Sequence, residues 1–121
     1  MEIKTAIVAL SALAHEGRLS VFRMLVQAGT TGVSAGEIAR RLGVPSNTLS
    51  ANLNVLSNAA LIDSRREGRT IIYTACYDRM TELLGFLVED CCQSASEICT
   101  PLAQVVNRAA CCATNVEDGQ P

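Results

Sequence analysis

A mainly α-helical domain carrying one small β-hairpin is the fold class that this 121-residue sequence predicts. Three observations carry that expectation. Aromatic residues make up only 3% of the chain and Trp is absent, so a core must be built from Leu, Ile, Val and Ala, which suits helices better than a β-sandwich. Apolar residues recur at helical spacing through most of the chain. The stretch rich in Ile, Thr and Tyr is cut by a tip containing Gly and several Arg, as a hairpin would be. The length fits one domain, and a hydrophobic fraction of 49% is enough to fill a modest core.

The elements follow in order. A first helix runs roughly from Glu2 to Ala14, with Ile3, Ile7, Leu10 and Leu13 on one face. Lys4 and the apolar run Ala6 to Ala14 resemble a weak signal peptide, but a signal core has no reason to be amphipathic. The segment reads instead as an interface helix. A second helix, from about Gly17 to Ala28, aligns Leu19, Phe22, Leu25 and Val26 and stops at Gly29-Thr30-Thr31-Gly32. Ser34-Ala35-Gly36-Glu37 has the form of a capping box and opens a short helix that turns Ile38, Ala39 and Leu42 inward. Gly43-Val44-Pro45 makes a tight turn before a further helix from about Ser46 to Ala59. Two short helices joined this closely form a helix-turn-helix.

Leu61 to Ser64 and Thr70 to Thr74 read as two strands, with Arg65-Arg66-Glu67-Gly68-Arg69 as the tip between them. That hairpin is a wing, and the predicted architecture is a winged helix-turn-helix. A last long helix begins near Asp78 and places Leu83, Leu84, Leu87, Val88 and Cys91 on one broad face. Residues 1–93 are expected to form the DNA-binding and dimerisation domain, and residues 94–121 a cysteine-containing tail. The first and last long helices each present an apolar face that one small domain cannot easily bury, which predicts a homodimer.

The net charge of −2 conceals an asymmetry that bears on partners. Residues 1–75 hold eight basic against five acidic side chains, whereas residues 76–121 hold two against seven. A basic front suits nucleic acid and an acidic back does not. On the helix from Ser46, Leu49, Leu53 and Leu56 face the core, leaving Asn47, Ser50 and Asn54 on the opposite side. With Ser46 and Thr48 near the helix start, these short polar groups suit base edges and phosphates of a major groove. Arg65, Arg66 and Arg69 would grip the backbone or probe the adjacent minor groove of operator DNA.

Six cysteines are present, five of them between Cys91 and Cys112 and none before Cys76. A disulfide framework would distribute its bridges, so the clustering indicates a thiol site in a reducing compartment. No apolar run is long enough to span a membrane, and a cytoplasmic location is expected. Catalysis is not expected: a Cys-x5-Arg loop, a phosphate loop and a cysteine with a plausible histidine base are all missing. Zinc is disfavoured because no Cys-x2-Cys pair occurs, and His15, the sole histidine, sits at a helix junction where a cap or packing role fits better than a ligand. Cys76, at a strand end, reads as a small buried apolar residue.

Three segments resemble the ArsR/SmtB family of metal- and metalloid-responsive repressors: Ala12 to Leu25, Gly36 to Leu61 and Ser64 to Tyr73. With the last helix they cover about Met1 to Gln93. The resemblance implies a homodimer that represses a resistance operon and leaves DNA when its inducer binds. Two departures stand out. Many relatives have His where this chain has Asn52, and Ser34 to Ala39 lacks the cysteines often found on the first helix of the helix-turn-helix. The Cys-Cys-x6-Cys run is similar to the C-terminal arsenite site of one branch, which implies Cys91, Cys92 and Cys99 as ligands of trivalent arsenic. Soft thiolates select such thiophilic centres, and antimonite is the expected mimic. No obligatory cofactor is implied. Cys111 and Cys112, a second adjacent pair, are candidate auxiliary thiols, the alternative being that they are inert in the tail. Methylarsenite held by two thiolates and a thiol redox switch remain alternatives.

Overall fold

The computed structural model describes residues 1–88. The described residues divide into two units, residues 2–76 and a unit that begins at Tyr77 and includes Met1. In the first unit the order is α1 (Ile3–Leu13), α2 (Glu16–Ala28), β1 (Val33–Ser34), α3 (Ala35–Leu42), α4 (Ser46–Asn58), β2 (Ile62–Glu67) and β3 (Thr70–Ala75). In the second, α5 spans Tyr77–Leu87. Among the described residues no helix is long and apolar enough to cross a membrane.

The winged helix-turn-helix expected from sequence is present, with two additions. The hairpin is longer than expected, since Arg65, Arg66 and Glu67 belong to β2 and the turn is reduced to Gly68-Arg69. The sheet also has a third strand. Its order is β1-β3-β2, all antiparallel, with Val33 opposite Tyr73 and Ile62 opposite Ala75. Two residues carry no readable period, so sequence gave no sign of β1. Gly32 makes the pairing feasible. It has φ 74°, and a Cβ there would stand 2.6 Å from the carbonyl oxygen of Tyr73.

The core of the first unit gathers Leu25, Ile38, Leu56, Leu61 and Val21 as its largest fully buried side chains. α1 contributes only small residues, Ala6, Ala9 and Ala12, and leaves Ile3 (65% exposed), Ile7 (55%) and Leu10 (40%) outward. α2 buries Val21, Phe22 and Leu25. Leu19, expected in its apolar stripe, is instead 43% exposed, because the buried face is centred one residue further round. Cys76 is half-buried rather than fully enclosed. On α5, Leu83 is buried, Leu84 is half-buried and Leu87 is exposed, and Val88, just after the helix, is half-buried.

Helix ends are fixed by specific groups. His15 caps α2, its Nδ1 accepting from the Gly17 and Arg18 amides at 3.1 and 3.3 Å, as its junction position suggested. Arg18 donates back to the Ala12 carbonyl through Nε at 2.6 Å, joining α2 to the end of α1. α4 closes in a Schellman turn: the Leu61 N–H reaches the Leu56 carbonyl at 3.1 Å and Ala60 N–H reaches Ser57 at 2.9 Å. Ala60 holds φ 61° there, a left-handed conformation that costs a residue with a Cβ about 1–2 kcal/mol.

Two substitutions test these backbone demands. Ala60→Gly should raise stability by about 0.5–1 kcal/mol, since relief of the left-handed strain exceeds the entropy glycine adds to the unfolded chain. Gly32→Ala should lower it by about 2 kcal/mol or more, through the clash with β3. Urea unfolding of both variants would show the opposite shifts in midpoint.

Candidate nucleic-acid interface

The reading element begins at Ser34, whose Oγ accepts the Glu37 amide at 3.2 Å and so starts α3. Only half of the expected capping box forms. The Glu37 carboxylate does not return to the cap but takes Arg40 Nε at 3.0 Å and Arg41 Nε at 2.7 Å, and it also pairs with Arg40 Nη2. Hydrogen bonds from Arg40, then from Arg41, push its pKa down to about 2. Gly43 ends α3 in the left-handed region, at φ 65°, with its own N–H and that of Val44 both on the Ala39 carbonyl. Pro45 then stands at the N-cap of α4.

α4 divides cleanly into two faces. Leu49, Leu53 and Leu56 are buried as expected, and Asn52 is buried with them. Ser46, Asn47, Thr48, Ser50 and Asn54 are all exposed. Asn47 Oδ1 accepts the Thr48 amide at 2.9 Å, which leaves its NH2 group to donate outward. The helix carries no charged side chain, so its outer face can match hydrogen-bonding groups in a groove while cations for phosphates must come from elsewhere.

The wing arginines are not equivalent. Arg65 donates to the Thr30 carbonyl at 3.0 Å and the Thr31 carbonyl at 2.9 Å, and pairs with Glu67 at 2.7 Å. It braces the wing against the end of α2. The side chains of Arg66 and Arg69 are exposed and make no ion pair or hydrogen bond among the described residues. Arg40 and Arg41, which sequence reasoning passed over, add two exposed cations on α3. Their signal was legible in the Glu37, Arg40 and Arg41 spacing, which places them on one helical face.

The expected thiol ligands Cys91, Cys92 and Cys99, and the auxiliary pair Cys111 and Cys112, lie outside the described residues, as does the 93/94 domain boundary. Among the described residues no group of His, Cys, Asp or Glu is arranged to hold a metal ion.

Comparison with known proteins agrees with this geometry. A helix-turn-helix domain model matches residues 13–65. The transcriptional activator HlyU of Vibrio cholerae is 32% identical over 89 residues, spanning 74% of this chain and 80% of the relative. The chain belongs to the ArsR/SmtB-type family of winged helix-turn-helix transcriptional regulators. A second relative, the biofilm growth-associated repressor of Agrobacterium fabrum, is 36% identical over 64% of each chain. The structure of reduced HlyU superimposes with a TM-score of 0.56 at 33% identity, over 72% of this chain and 92% of HlyU. The homodimeric winged helix-turn-helix DNA-binding domain of Mycobacterium bovis Mb0332 gives 0.59 at 26% identity, over 78% and 87%. Members of this family regulate transcription by binding DNA.

Two measurements separate the cations. Arg66→Ala and Arg69→Ala should each weaken DNA binding and reduce the slope of log affinity against log salt by about one, whereas Arg65→Ala should cost about 1 kcal/mol of stability in urea. Glu37→Gln should tighten binding and steepen the salt dependence by freeing two guanidiniums. Because the Glu37 pKa is depressed on folding, its ionic contribution to stability is complete above the usual carboxylate range. That contribution should fade as pH falls from about 4.5 towards about 2, which an acid titration of Glu37→Gln against the parent chain would isolate.

Proposed function

We propose that this regulator is a homodimeric repressor that holds operator DNA and releases it when trivalent arsenic binds Cys91, Cys92 and Cys99. The observation that carries the DNA half is the uncharged, outward polar face of α4 beside the partner-free guanidiniums of Arg66 and Arg69. Polar groups read bases there and flanking cations hold phosphates. The outward Ile3, Ile7 and Leu10 of α1 support pairing with a second copy, which would offer two reading helices to successive major grooves. The homodimeric relative Mb0332 supports the same assembly, and the Agrobacterium relative supports repression.

The sensing half rests on the cysteine run. Arsenite exchanges its three hydroxyls for three thiols, releasing three waters with no change of oxidation state, and so requires no further reactant. A coupling of only about 1–3 kcal/mol between that site and the DNA contacts would weaken binding five- to over a hundred-fold. A second reading, a thiol redox switch, draws support from the description of one HlyU structure as the reduced form.

A duplex selected by the protein from a random-sequence pool, labelled for fluorescence anisotropy, distinguishes these readings. Arsenite should release it from the parent chain and not from Cys91→Ser/Cys92→Ser. Release by peroxide alone would favour the redox switch. Arsenite release that persists in the double variant would overturn the thiolate site, and release by methylarsenite that survives Cys99→Ser would favour two-thiolate sensing.

A further inference from the structure

Behind the reading helix lies a cleft of about 400 Å³ between α2, the end of α3 and α4. Its walls are mainly apolar, formed by Val21, Leu42, Val44 and Leu49. Three polar residues, Glu16, Ser20 and Asn52, also line it, and of these only Asn52 is buried. The Asn52 side chain is only 8% exposed, the one buried polar side chain among the described residues, and its carboxamide makes no hydrogen bond within them. No fully sealed side-chain polar atom lacks a partner, so Oδ1 and Nδ2 both remain reachable, and the cleft is the space Asn52 lines. A Cβ at Gly17 would sit 3.1 Å from Asn52 Nδ2, so the absence of a side chain at this point of α2 leaves the carboxamide its room.

We propose that this cleft is a ligand site for small, neutral, planar molecules that carry a carboxamide or lactam edge. The physical case rests on complementarity. An unpaired carboxamide offers one donor edge and one acceptor edge side by side, and a second carboxamide satisfies both at once. Leaving them unmet in an apolar wall is costly, so a ligand that pairs them gains more than one that fills space alone. The apolar walls take the flat body, and a mainly apolar pocket of this size with few polar groups is typical of small-molecule sites. Glu16 at the rim sets the charge preference: it repels an anion and accepts a neutral guest. Leu49 and Asn52 both belong to α4, so a bound ligand touches the reading helix directly. Occupancy and DNA affinity are therefore linked, and the linkage is reciprocal. This site owes nothing to the cysteines and stands whether or not arsenic is the inducer.

Benzamide is the probe, with benzoate as a control of the same shape that lacks the donor and carries the charge Glu16 repels. On the full 15N-labelled chain, benzamide at millimolar concentration should saturably shift the Asn52 side-chain NH2 pair and the Gly17, Ser20 and Val44 amides. Benzoate should leave them in place. Asn52→Leu, nearly isosteric, should abolish the benzamide response with its helical circular dichroism unchanged. Saturating benzamide should change affinity for the selected duplex by about five-fold. Non-saturable shifts, or equal shifts with benzoate on the unmodified chain, would mark a merely solvated cleft and overturn the site. Saturable binding with unchanged DNA affinity would overturn the link to the reading helix.

Discussion

The backbone of Leu61 is the hinge pin of this molecule. Its N–H closes the Schellman turn on Leu56 at 3.1 Å, and its carbonyl accepts the Cys76 N–H at 2.8 Å. One residue thus ties the end of the reading helix to the residue just beyond the wing's second strand. Its side chain and that of Leu56 are both fully buried, so neither bond competes with water. The strained φ of Ala60 is tolerated because this turn is fixed on both sides. With the pin in place, the buried stripe Leu49, Leu53 and Leu56 sets the rotation of α4, and the polar residues opposite them have only one direction left to face.

A second brace sets the wing. The Thr30 and Thr31 carbonyls, in the turn that follows α2, and the Glu67 carboxylate hold the Arg65 guanidinium, which accepts bonds from nothing and so serves as a pure donor bracket. Arg66, its neighbour in β2, projects from the opposite face of the strand by simple alternation. Adjacent identical residues therefore divide into a structural cation and an available one. On α3, Glu37 draws Arg40 and Arg41 into a compact exposed cluster, which tempers the positive field beside an otherwise uncharged reading helix.

Much of this was legible in the chain. Helical spacing identified the two faces of α4, and Gly43 and Pro45 marked the turn before it. Ile, Thr and Tyr flanking a Gly-Arg tip marked the wing, though its strands run further because arginine at a sheet edge looks like loop in sequence. Other features were hidden for physical reasons. β1 is two residues long and exists only because Gly32 lets the backbone approach β3. The burial of Asn52 could not be read from a pattern that treats every polar residue as outward. The division among the wing arginines depends on carbonyls more than thirty residues away in the chain, beyond the reach of local pattern. Leu19 failed the stripe because neighbouring positions on a helix differ by a rotation that spacing alone does not fix.

Pinned by Leu61, α4 and the wing present the surface proposed to face DNA, and the proposed function relies on that surface being the one used. Amide mapping of the 15N-labelled chain titrated with its selected duplex addresses it most directly. The account predicts the largest perturbations from Ser46 to Asn54 and at Arg66 and Arg69, with the Leu61 and Cys76 amides nearly still. Perturbations centred instead on α1, or a reading helix that stays silent while DNA binds, would contradict it.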